Sequence, residues 1–76
     1  MPLNLRKRLA ARRLARQYAI ELMTEARDNG EPPESVTAEA VIERMKADGL
    51  DVADTDWQGL LEFLITLIER LVRLFA

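Results

Sequence analysis

The chain has 76 residues, with 11 basic and 13 acidic side chains, a net charge of −2, and neither cysteine nor histidine. That length holds one domain, residues 1–76. The two missing residue types exclude disulfides, thiolate- or imidazole-bound metal, and imidazole acid–base chemistry. A core of this size supplies only about 3–5 kcal/mol, so self-association is the one remaining way to reinforce the fold.

No stretch reaches the roughly 20 uncharged apolar residues of a membrane span. Residues 1–19 are rich in arginine but contain no serine and no unbroken apolar run, so they read as part of the fold and not as a targeting peptide. The expectation is a soluble, intracellular domain. The net charge conceals an asymmetry. Arg6, Lys7, Arg8, Arg12, Arg13 and Arg16 stand in residues 1–16 without an acid, while all 13 acids fall in residues 17–69.

The first predicted element is a helix over about residues 4–28, with Asn4 as N-cap. Asn29-Gly30 supplies a left-handed end, and Pro32-Pro33 forbids continuation. At 100° per residue, Ala11, Leu14, Ala15, Tyr18, Ala19, Leu22 and Ala26 share a face, with Arg6, Arg13, Gln17 and Thr24 opposite. Leu5, Leu9, Ile20 and Met23 widen its apolar arc.

The second helix is predicted over about 37–48, capped by Thr37 and ended by Gly49. Its apolar stripe is narrow: Ala38, Val41, Ile42 and Met45. A three-turn helix of this kind is marginal alone and must dock. Leu50, just past the glycine, is placed for the apolar contact that accompanies such an ending.

The third helix, about 56–75, opens on Thr55-Asp56-Trp57-Gln58, a capping-box pattern with Thr55 as N-cap. In heptad terms Trp57, Leu64 and Leu71 occupy a, Leu60, Leu67 and Leu74 occupy d, and Leu61, Ile68 and Phe75 occupy e. All are apolar, and Phe63, Ile65 and Val72 flank them. The resulting arc of roughly 200° exceeds the ~100° that a surface helix needs. The fold expected is therefore an all-α, small three-helix bundle whose third helix, through these nine a, d and e residues, serves both the core and self-association.

Function classes separate on the remaining residues. The six early cations are candidate anion contacts for a nucleic acid or an anionic membrane surface. However, they spread around the helix, and no aromatic interleaves them for base stacking. Pairing with Asp48, Asp51, Asp54 and Asp56 in an up-down-up bundle explains them without a ligand. Those four aspartates lack the spacing of a calcium loop and read instead as helix-capping and pairing groups. Glu39 and Glu43 share an exposed face, and Ser35, the single serine, has no base in reach. The chain reads as a structural or interaction module without catalysis or cofactor. Its expected partner is itself, and another protein is the next candidate.

Overall fold

The computed structural model describes the backbone of residues 2–50 and 56–75, and the side chains of residues 9–50 and 56–75. It is an all-α three-helix bundle: α1 (Pro2–Asp28), a 3-10 turn (Pro33–Ser35), α2 (Ala38–Ala47) and α3 (Trp57–Phe75). The expected Asn4 cap is corrected, because α1 already begins at Pro2. Proline is suited to a first helical position, since it lacks an N–H that would go unpaired there and its φ is pre-set.

Both breaks form as the sequence suggests. Gly30 (φ 75°) and Gly49 (φ 86°) adopt the left-handed conformation just past α1 and α2. The following amides reach back, Glu31 to the Ala26 carbonyl at 2.8 Å and Leu50 to the Met45 carbonyl at 3.0 Å. These are Schellman endings, which satisfy carbonyls the helix leaves open. Between them, Ser35 Oγ donates to the Pro32 carbonyl at 2.7 Å. The turn also carries Val36 into the core, which periodicity did not reveal.

Thr37 caps α2 as expected, its hydroxyl accepting from the Ala40 amide at 3.1 Å. At α3 the cap is Asp56, whose carboxylate accepts from the Gly59 amide at 3.0 Å. This corrects the capping box. With Asp56 as the cap, the third helical position is Gly59 and not Gln58, so no side chain there can reach back. A Cβ on Gly59 would run into the Asp56 carboxylate. Thr55 lies outside the described residues.

Contacts between helices fix the topology. Tyr18 meets Asp48 and Glu25 meets Arg44, so α1 and α2 run antiparallel. Arg12 lies over Phe63 and Arg27 over Phe75, so α1 and α3 ascend together. The order is up-down-up. At ~1.5 Å per residue, α1 is about 40 Å long and α2 only about 15 Å, and α1 sets the 42 Å long axis of the molecule.

The core is built from Ala15, Ala19, Met23 and Ala26 of α1, Ala38, Val41, Ile42 and Met45 of α2, and Leu60, Leu64, Ile68 and Leu71 of α3, with Val36 closing one end. Three alanines on α1 let its neighbours approach closely, and the larger α3 side chains fill the space. The α2 stripe is buried as expected. The α1 face is rotated from the expected one: Met23 is fully buried, whereas Leu14 is 39% exposed. The reason is length. Tyr18 already reaches Asp48, the residue ending α2, so Leu14, one turn earlier, has no α2 beside it.

Candidate self-association surface

The nine apolar residues predicted on α3 divide into three groups. Leu60, Leu64, Ile68 and Leu71 are buried in the chain's own core. Trp57, Leu61, Leu67 and Phe75 pack partly buried against it. Leu74 is 80% exposed. Much of the a/d seam read from the sequence is therefore occupied by α1 and α2.

A second seam runs along the edge of that face. Leu61, Ile65, Ile68 and Val72 follow 4-3-4 spacing, a heptad pattern of its own. Ile65 is 47% exposed, and Leu61 and Val72 are half-buried. The outer border of the seam carries Gln58, Glu62 and Glu69, all exposed. Together Leu61, Ile65 and Val72 present about one side chain's worth of uncovered apolar surface, or roughly 1.5–3 kcal/mol per copy when buried.

On the opposite edge and at the two ends of α3, cations lie over aromatic rings. The Arg12 guanidinium lies 5.2 Å from the centroid of Phe63, and Arg27 lies 5.6 Å from that of Phe75. At the start of α3, Lys46 sits 5.0 Å from the Trp57 centroid. Each is within cation–π range, and the alkyl stems also cover ring surface. Arg12 further borders an open groove with Phe63, Thr66, Leu67 and Arg70. Leu74 stands on this edge, half a helical turn around from Ile65, so one partner helix cannot cover both.

The early cations are only partly gathered. Arg12, Arg13 and Arg16 are exposed, and the side chains of Arg6, Lys7 and Arg8 lie outside the described residues. Among the described residues the ion pair is Glu25–Arg44, at 3.2 Å, not one between the start of α1 and the aspartates. Hydrogen bonding to Glu25 holds the Arg44 guanidinium above its ordinary pKa, with the carboxylate's charge adding to it. Of the four aspartates, Asp56 caps α3 and Asp48 accepts from the Tyr18 hydroxyl at 2.6 Å, while Asp51 and Asp54 fall outside the described residues. That bond, then burial and the negative charge of Asp48, raise the Tyr18 pKa.

Among the described residues no buried side chain is polar or charged, and no three acidic groups converge to hold a metal ion. Glu39, Glu43 and Ser35 are exposed. No helix of the described residues is long and apolar enough to cross a membrane. The class defined by these features is a small up-down-up bundle with an apolar seam on its last helix. No protein family, curated protein or solved structure matches the chain.

Proposed function

We propose that this chain is a non-enzymatic helical module that associates reversibly with its own copies through α3. The observation that carries the reading is Ile65, 47% exposed in the middle of the Leu61–Ile65–Ile68–Val72 seam. Two such seams bury about 3–6 kcal/mol between them. Loss of translational and rotational freedom and ordering of side chains offset much of that on association. The expected assembly is thus a weak, concentration-dependent one, and not an obligate oligomer.

An NMR dilution series tests it. Amide shifts around Leu61, Ile65 and Val72 should move between millimolar and micromolar concentration, while those around Arg13 stay fixed. A spectrum unchanged by dilution contradicts the reading.

A second reading has its own observation: Arg13 and Arg16 are exposed on the half of α1 that lies beyond α2. These cations would serve a nucleic acid or an anionic membrane surface, with binding that collapses as salt rises. Arg13→Glu with Arg16→Glu should then abolish retention on immobilised DNA or anionic vesicles at low salt. Absence of retention by the parent chain removes this reading.

A further inference from the structure

Resting on the second reading and committing it to one partner, we propose that the edge of the bundle between α1 and α3 lies on an anionic lipid bilayer. Helical period brings Leu9, Arg13 and Arg16 of α1 and Arg70, Arg73 and Leu74 of α3 to that edge, on the side away from α2. All six are exposed, Leu9 by 47% and Leu74 by 80%. The groove lined by Arg12, Phe63, Leu67 and Arg70 runs through the middle of this face, and Glu62 is the acid that borders it.

Charge is divided across the molecule. Glu21 and Glu25 stand on the α2 side of α1, where both act on Arg44, and Glu39 and Glu43 are exposed on α2 itself. These acids are about 10 Å or more from the cationic edge, the thickness of one helix. That exceeds the Debye length of about 8 Å at physiological salt. An anionic surface facing this edge therefore meets the arginines and is screened from those acids, although the whole chain carries a net charge of −2.

The kind of anion follows from where the apolar atoms are exposed. Phosphates of a nucleic acid gain nothing from bare leucines. Among the described residues this edge also offers no uncovered ring for base stacking, because Arg12 lies over Phe63. The same contact roofs the groove against an acidic helix, which would have to lift Arg12 off the ring. The uncovered apolar side chains stand instead on the ridges, Leu9 on α1 and Leu74 on α3, roughly 20 Å apart along the bundle. A bilayer accepts ridge leucines below its headgroups, while arginine stems hold their guanidinium groups at the phosphates. Ile65 faces half a helical turn away from Leu74, so copies paired along the seam keep this edge open.

Co-sedimentation of the full chain with vesicles at low salt tests the proposal. The vesicles are phosphatidylserine and phosphatidylcholine in equal parts, or phosphatidylcholine alone, with immobilised duplex DNA as a separate arm. The chain should bind the mixed vesicles and not the neutral ones. Arg70→Gln should weaken that binding about fivefold and Leu74→Ser at least about tenfold, while Ile65→Ser, on the opposite edge, leaves it unchanged. All three side chains are exposed, and far-UV circular dichroism checks that the helices are kept. Binding to DNA without binding to mixed vesicles overturns the bilayer proposal and leaves the cationic reading standing. So does vesicle binding that Leu74→Ser and Ile65→Ser weaken equally. Binding to neither DNA nor vesicles overturns both.

Discussion

Leu64 and Ile65 are neighbours in sequence with opposite surroundings: Leu64 is fully buried and Ile65 is 47% exposed. Leu64→Ala should lower stability by about 2–5 kcal/mol, most of what a domain this size holds, and urea unfolding measures it. Ile65→Asp should leave the unfolding midpoint of dilute protein nearly unchanged. A large loss there would mean that Ile65 belongs to the core. Tyr18, the single tyrosine, reports on another contact. Because donation to Asp48 raises its pKa above the ordinary 10.0, the bond adds stability at neutral pH that is lost as pH climbs through the folded-state pKa. Phenolate absorbance should therefore titrate above 10.0 in the parent and fall back toward it in Asp48→Ala; equal midpoints would show that the bond is absent in solution. Neither Tyr18–Asp48 nor Glu25–Arg44 was legible in the sequence, since both join residues far apart in the chain across a helix pair whose register only packing decides.

At the scale of elements, ends and stripes were legible because their causes are local. Thr37, Gly30 and Gly49 act through backbone geometry within a few residues, and the α2 stripe follows helical period. The start of α3 was misread by one residue because Thr55 and Asp56 are both good caps, and the sequence does not choose between adjacent ones. Thr37→Ala should destabilise the protein by about 0.5–2 kcal/mol, and Asp56→Ala by a similar amount, with Asp56→Asn retaining most of the cap. Thermal unfolding orders these variants; an Asp56→Asn as unstable as Asp56→Ala would show that charge matters there and capping does not. The face of α1 was harder to read. Apolar residues spread over much of its circumference, and which of them are covered depends on where the shorter α2 stops.

For the whole molecule, the excess of apolar surface on α3 was legible, but its division was not. Periodicity placed nine residues on one arc, and the bundle uses Leu60, Leu64, Ile68 and Leu71 for itself. Cations of α1 and α2 then cover Phe63, Phe75 and Trp57. That gives Arg12 an internal role, although its place in the first half of α1 opposes the helix dipole. On α3 that leaves Leu74 uncovered at one edge and a narrow seam centred on Ile65 at the other, and the proposed pairing uses the seam. Sedimentation equilibrium from ten micromolar to one millimolar tests this account most directly. The weight-average mass should climb from 8.7 kDa toward twice that value, and Ile65→Asp should hold it at 8.7 kDa throughout. A parent chain that remains at 8.7 kDa up to the highest concentration contradicts the account.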